Sequence, residues 1–497
     1  MTEETKPETK PETKADAKPE KPVIKDVLVE SKHILKINGV VIEYTVTTGT
    51  MVLKEETADR DKEYQGEKAT AEFFFIAYTR DEVNDPAERP LTFSFNGGPG
   101  SSSVWLHMGL LGPRSVQMEF DGGLPKPPYR LTDNEFSLLD KTDLVFIDPV
   151  STGYSRPAEG QKAHEFHGFK KDIESVGDFI RLYTTRYNRW LSPKFLIGES
   201  YGTTRASGLS GYLLERHGMY LNGIILVSAV LNFQTIDFTP GNELPYALFL
   251  PTYAATAWYH HALRLRRPLE SLLEEVEEFA IKEYGPALMK GDNLPRRERQ
   301  AIIQKLARFT GLSQDYLERS NLRVPDYRFF KELLRSRARV VGRLDSRFLG
   351  IDPDTLGDGT NNDPSYTNIV GPYTATFYDY VRRELKFEKD IPYEILTGNV
   401  WPWSYAEHEN RFVYVAETLR QAMSANPHMK IFVANGYYDL ATPYFATEYT
   451  IGHLGLDESL RNNIRMAYYE AGHMMYIHLP ALEELKKDLA EFIDQAL

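Results

Sequence analysis

Five short runs constrain this 497-residue chain more than anything else in it: "LTFSF" at 91–95, "LVFI" at 144–147, "KFLIG" at 194–198, "GIILVS" at 223–228 and "IFVA" at 431–434. None shows the alternation with charged residues that a half-solvated strand displays, and each stops at small or polar residues. Strands of this kind must be covered on both faces, as they are when helices pack on either side of a parallel sheet. Helical periods lie between the runs. Phe166, Phe169, Ile173, Val176, Phe179, Ile180 and Tyr183 recur at three- and four-residue steps, and from about Pro480 so do Leu482, Leu485, Leu489 and Phe492. Strand–helix alternation predicts an α/β fold, a mostly parallel central sheet flanked by helices. From His33 to Arg80 the texture is different: "HILKINGVVIEYTV" sets Asn-Gly between two alternating runs, a hairpin signal.

The alternation is interrupted between 234 and 387. That stretch is rich in Arg, Glu and Leu and carries amphipathic patterns such as "LESLLEEVEEFAIKEY" and "RRERQAIIQKLARF". It is read as a helical cap insertion in a core formed by 23–233 and 388–497, its charge runs being solvated helix faces. Residues 1–22 repeat Lys, Pro, Glu and Thr with no large apolar side chain after Met1 and are expected to form a disordered tail. The tail lacks the apolar centre of a signal peptide. Spacers of this composition commonly follow a removed export signal or lipid anchor, so a periplasmic or secreted location is expected only if such a signal preceded residue 1. The net charge of −13 argues against a nucleic-acid partner. No run approaches the roughly 20 apolar residues of a membrane span. The absence of cysteine excludes disulfides, thiolate metal sites and cysteine nucleophiles.

"KFLIGESYGTTRASGLSGYLLERHG" is the stretch richest in chemistry. A buried strand ends at Gly198, Gly198-Glu199-Ser200-Tyr201-Gly202 satisfies G-x-S-x-G, and a helical run follows. Strand, sharp turn and helix in that order present a serine where a base can reach its hydroxyl, so Ser200 is the candidate nucleophile. A serine needs an oriented base, and in this kind of sheet the order is serine, acid, histidine. Asp439 follows "KIFVANGYY" and His473 sits in a Gly-His turn after "RMAYYEA", both on loops beyond strands. Asp439 alone would pass for a helix cap. His478, before Leu-Pro at the mouth of the final helix, is the competing histidine and reads as structural.

"FNGGPGSSSV", at 95–104, then finds a use. No Gly-Lys-Ser/Thr follows, so it is not a phosphate loop. With a serine on a later strand, a glycine loop after an earlier strand supplies the second N–H of an oxyanion hole. The first donor is the N–H of Tyr201 and the second is read as that of Gly98. His164, His167, His260 and His261 are read as surface residues rather than metal ligands, and "DPDTLGDGTNND" at 352–363 as a polar loop without calcium-loop spacing. No metal and no cofactor is implied.

The segments "NGGPGSSS", "GLLGPRSV", "DLVFIDPVSTGYS", "FLIGESYG", "NGYYDLATPY" and "EAGHMMY" occur in one order that resembles the serine carboxypeptidase family. The resemblance covers most of 90–235 and 390–497. It implies an α/β-hydrolase fold, a triad of Ser200, Asp439 and His473, and oxyanion donors from Gly98 and Tyr201. It also implies that Asn96, the backbone of Gly97, and Glu199 bind the C-terminal carboxylate of a peptide substrate, and it leaves a homodimer open. A carboxylate beside Glu199 requires a proton on one of the two, which favours acidic pH. The sequence departs from the family pattern at Ser94, where a Trp is usual, and at Leu110, where a second Glu often pairs with the one before the nucleophile. Ser101 replaces a frequent Cys and Gly202 a usual Ala. Without the paired Glu, desolvation by apolar neighbours is what would keep Glu199 protonated. Removal of C-terminal residues through an acyl-enzyme is the leading expectation. Esterase, acyltransferase or lyase chemistry on the same triad is the alternative, and a catalytically silent binding protein is the third reading.

Overall fold

The computed structural model describes residues 24–58, 63–264, 267–360 and 362–497; the expected tail at 1–22 lies outside them. Strands β1 (Val27–Ile37) and β2 (Val40–Ala58) turn at Asn38-Gly39, both residues having positive φ, 49° and 82°. That is the mirror-image turn for which Asn-Gly is suited. β2 pairs with another long strand, β3 (Tyr64–Arg80), again antiparallel. The five predicted runs then form β4 (Leu91–Phe95), β5 (Asp143–Ile147), β6 (Lys194–Ser200), β7 (Gly223–Ala229) and β8 (Lys430–Gly436), with β9 (Ile464–Tyr469) at the far edge. All six are parallel to one another, in the sheet order β1-β2-β3-β5-β4-β6-β7-β8-β9.

Five helices cover this sheet: α1 (Phe169–Arg186), α2 (Tyr201–His217), α3 (Pro364–Arg383), α4 (Ala416–Ala425) and α5 (Leu479–Gln495). The period of two in a strand divides the apolar runs between the two faces. Leu196, Ile224, Leu226, Ile431 and Val433 pack under α1, α2 and α4. Phe195, Ile197, Ile225, Val227 and Phe432 pack under α3 and α5. Each such side chain contributes roughly 1.5–3 kcal/mol by leaving water. Both faces being apolar, the alternation alone does not set the register, and the helices packed on each face fix it. This arrangement is the α/β-hydrolase fold.

The stretch between β7 and β8 packs in two parts. Helices Leu244–Tyr259, Leu269–Phe279 and Arg296–Thr310 share an apolar cluster that includes Tyr253, Leu272, Val276, Ile303 and Phe329 and rests on Tyr438 and Tyr444. Their charged faces point outward and carry pairs such as Lys305–Glu283 at 2.6 Å. α3, by contrast, lays Ile369, Tyr373, Phe377 and Tyr380 on the sheet itself. A short hairpin, Arg339–Val341 with Leu349–Ile351, joins the two parts and was not legible in the sequence. Its strands have three residues each, too few to show a period. Among the described residues no helix is long and apolar enough to cross a membrane.

Candidate active site

Ser200 ends β6 and precedes the first residue of α2, with φ 60° and ψ −129°. A non-glycine residue is strained there, and the strain persists only because the surroundings fix it. The surroundings are backbone. A Cβ on Gly97 would stand 2.5 Å from the Tyr201 nitrogen and 2.7 Å from the Glu199 oxygen, and one on Gly202 would stand 2.9 Å from the Phe95 oxygen. A Cβ on Gly198 would collide with the Gly202 carbonyl. The glycine loop and the serine turn are thus packed backbone to backbone, which only residues without side chains permit. Gly98 follows at φ 102°, a conformation open to glycine, and lines the same cleft as Ser200. Thr203 Oγ1 donates to the Ser200 carbonyl (2.6 Å) and accepts from the Val230 N–H (2.9 Å), tying the turn to the end of β7.

Asp439 and His473 come together on loops beyond two adjacent strands, and His473 lines the same cleft as Ser200. Their loops follow the paired strands β8 and β9, and Asp439 Oδ2 accepts from His473 Nδ1 at 2.7 Å. Asp439 is wholly buried and its carboxylate is otherwise satisfied. Oδ1 accepts the N–H groups of Ala441 (2.8 Å) and Thr442 (3.0 Å), and Oδ2 accepts Thr442 Oγ1 (2.7 Å). The Asx turn that would have explained Asp439 as a cap is therefore present, and it orients the carboxylate for the histidine. His473 donates its N–H to the Leu344 carbonyl (2.7 Å), and its own carbonyl accepts Ser228 Oγ (2.7 Å). Burial pulls its pKa down, but the charge and hydrogen bond of Asp439, with Glu199 adding to them, hold it above the ordinary histidine value.

Glu199, the residue before Ser200, is buried to 4 % exposure. Asn96 Nδ2 donates to its Oε1 at 2.9 Å, and Tyr476 OH donates to its Oε2 at 2.5 Å. Asn96 is itself fixed, its Oδ1 accepting the Leu106 N–H at 3.1 Å. Burial pushes the Glu199 pKa up to about 7, against the His473 charge and the two hydrogen bonds, which favour the ionised form. Leu110 is wholly buried and supplies no polar contact to Glu199. Tyr476 supplies it instead, its ring lying against Gly109, where a side chain would collide with it. Ser94, also wholly buried, leaves its hydroxyl without a hydrogen-bond partner, and nothing in the structure explains it.

Ser200, His473, Asn96, Gly97, Gly98 and Glu199 thus meet in one cleft of about 360 Å³. A family model described as "Serine carboxypeptidase" matches residues 62–478. The chain belongs to the serine carboxypeptidase family. Among curated members, pheromone-processing carboxypeptidase KEX1 of Saccharomyces cerevisiae is 32% identical over 160 residues, 31% of this chain and 20% of that protein. Serine carboxypeptidase-like 8 of Arabidopsis thaliana is 26% identical over 191 residues, 37% of this chain and 41% of that protein. The chain therefore spans well under half the length of these relatives in the matched regions. A solved structure of the family, a prohormone-processing carboxypeptidase from Saccharomyces cerevisiae, superposes with a TM-score of 0.56 at 17% identity, covering 90% of this chain and 91% of that one. That likeness extends the shared fold well beyond the matched sequence.

The remaining candidates separate cleanly. His478 caps α5 without a side-chain cap bond and is not among the cleft residues. His164 and His261 are exposed as expected, but His167 and His260 are buried and hydrogen-bonded, to Ser151 Oγ (2.8 Å) and the Ser346 carbonyl (2.6 Å). Each lies under a neighbouring loop that periodicity does not place. Two residues were missed altogether. One is Tyr476, three positions after His473 in an apolar run. The other is Arg205, buried to 1 % exposure among the small residues of α2. Arg205 pairs with buried Asp172 of α1 at 2.8 Å, donates to the Asn96 carbonyl at 2.5 Å and lies against the rings of Phe95 and Tyr201. It clamps the glycine loop to the helix behind Ser200. A charged residue in a run of Ala, Ser and Gly was the available signal.

Proposed function

We propose that the protein removes C-terminal residues from peptides through an acyl-enzyme on Ser200. The observation that carries this reading is Glu199, buried beside the serine and held by Asn96 and Tyr476. A serine hydrolase whose substrates carry no free carboxylate has no need of a second, protonatable carboxyl next to its nucleophile. An enzyme that must hold a free carboxylate there does: protonated Glu199 can donate to that carboxylate, with Asn96 and the Gly97 backbone beside it.

In this mechanism His473 takes the Ser200 proton as Oγ attacks the scissile carbonyl, and Asp439 stabilises the imidazolium and holds its tautomer. The developing oxyanion is met by the N–H groups of Gly98 and Tyr201. His473 returns the proton to the leaving amine, and water then attacks the acyl-enzyme by the same route in reverse. The buried Asp439–His473 pair and the strained Ser200 support these roles. The substrate class is a peptide with a free C-terminus. The test is hydrolysis of an N-blocked dipeptide and of its C-terminal amide, with Ser200→Ala as control. The free acid should be cleaved far better. Equal cleavage of the two, or cleavage of simple esters alone, would leave the serine chemistry and remove the carboxypeptidase reading.

A further inference from the structure

The cleft carries one charge that this mechanism does not use. Arg343 lines it together with Ser200, Gly98 and His473. Its backbone is anchored on three sides. The Arg343 N–H donates to Asp363 Oδ1 (3.0 Å), and its carbonyl accepts the Leu440 N–H (3.1 Å). The next residue, Leu344, donates to Ser365 Oγ (2.9 Å) and accepts the His473 N–H (2.7 Å). The segment is thus held at once by the cap of α3, the aspartate loop and the histidine turn. The guanidinium, in contrast, has no carboxylate within ion-pair distance among the described residues. Of its acidic neighbours, Asp345 is engaged with Arg347 (2.7 Å) and the Gly472 N–H (3.1 Å), and Asp363 with the N–H and hydroxyl of Ser365 (2.9 and 2.5 Å); Asp326, which burial holds above the usual carboxylate range, feels the Arg343 charge without forming an ion pair with it.

Around it the lining is largely apolar, with Trp105, Ile369, Leu396, Trp401 and Met474. Arg343 is itself exposed, so its charge attracts a counter-charge through solvent and is screened by salt. It also works against protonation of His473, which the reaction requires. A carboxylate brought by the substrate would meet both needs.

We propose that Arg343 receives the side-chain carboxylate of a substrate residue flanking the scissile bond, so that the preferred peptides carry Asp or Glu there. The proposal rests on the carboxypeptidase reading above. Neutralising Arg343 removes its opposition to the imidazolium formed as Ser200 attacks, so the preference appears in kcat as well as in KM.

The experiment compares N-blocked dipeptides with a free C-terminus that differ only as Asp against Asn or Glu against Gln, at each of the two positions. Wild type, Arg343→Gln and Arg343→Glu are measured, with active sites counted by a serine-directed phosphonofluoridate so that unfolded protein is excluded. Wild type should cleave the acidic member about tenfold faster at one position, a margin that narrows as salt rises. The ratio should fall to about one in Arg343→Gln and turn against acidic residues in Arg343→Glu. Equal rates for acid and amide side chains in wild type at both positions overturn the proposal without needing either variant. So does an equal loss in Arg343→Gln for all free-acid peptides, which assigns Arg343 to the terminal carboxylate instead. Neither result touches the carboxypeptidase reading, which fails only if free acids are cleaved no better than their C-terminal amides.

Discussion

The cleft has two walls of different construction. One, the serine turn against the glycine loop, is backbone on backbone: Gly97, Gly198 and Gly202 have no room for a side chain. The other, formed by the Arg343–Leu344 segment, α3 and the loop through Gly398, lines the cleft largely with side chains and leaves open space at Gly398. A Cβ on Gly398 would meet nothing within 4 Å. The first wall fixes chemistry that tolerates no displacement. The second surrounds the substrate, where shape and charge can vary without disturbing the reacting atoms. Substitutions should therefore separate the walls sharply.

The largest effect is expected at the first. Ser200→Ala should lower hydrolysis of the dipeptide by about 10⁴-fold or more while leaving the fold intact, read by kinetics beside urea unfolding. Behind the same wall, Arg205→Met strands Asp172 in the interior and should cost about 3–5 kcal/mol in a denaturant titration. A companion change of Asp172→Leu should recover much of that, because it removes the unpaired charge rather than a contact. Stability unchanged in Arg205→Met would mean that the clamp on Asn96 contributes nothing.

Gly97→Ala tests the backbone contact itself. Displacing the loop by a fraction of an ångström should lower kcat/KM by about 10²-fold. Gly398→Ala, on the second wall, should change stability by no more than about 0.5 kcal/mol. Similar losses of kcat/KM at both glycines would mean that the two walls tolerate displacement equally.

Tyr476→Phe probes the seam between the walls through pH. A terminal carboxylate binds the protonated form of Glu199, so free-acid hydrolysis should fall as pH rises through about 7. Tyr476 stabilises the ionised form, and its own pKa is held well above 10 by burial, so it remains a donor throughout. Losing it should move that alkaline limb upward by about one unit. The acidic limb, set by His473, should move less and in the opposite sense, because a less ionised Glu199 raises the His473 pKa less, and an alkaline limb moving downward would contradict the hydrogen bond. A small change is also expected far from both walls. Lys305→Ala breaks a half-exposed pair with Glu283 and should cost under about 1 kcal/mol.

Much of this was legible in the chain because it is a local demand. A doubly covered strand must be apolar throughout, a strained serine turn must be flanked by glycine, and an Asn-Gly turn must join two alternating runs. Each is written in five to ten consecutive residues. Tyr476 could not be assigned that way, since its partner Glu199 is distant in sequence and reaches it only when β6 and the turn after β9 share one sheet edge. Arg205 is the same case, meaningful only once α1 and α2 lie side by side. The histidines divide by the same rule: exposure of His164 and His261 follows from local polarity, burial of His167 and His260 from loops that fold over them.

By itself, then, the sequence determined the parallel sheet, the turn that carries Ser200 and the order in which Asp439 and His473 follow it, because backbone geometry restricts residue type position by position. Only the tertiary structure decided what holds Glu199 at the edge of ionisation, what clamps the glycine loop, and which cation lines the cleft without an ion pair. Those depend on which side chains from separate elements share a buried, weakly screening volume, and no stretch of sequence records that.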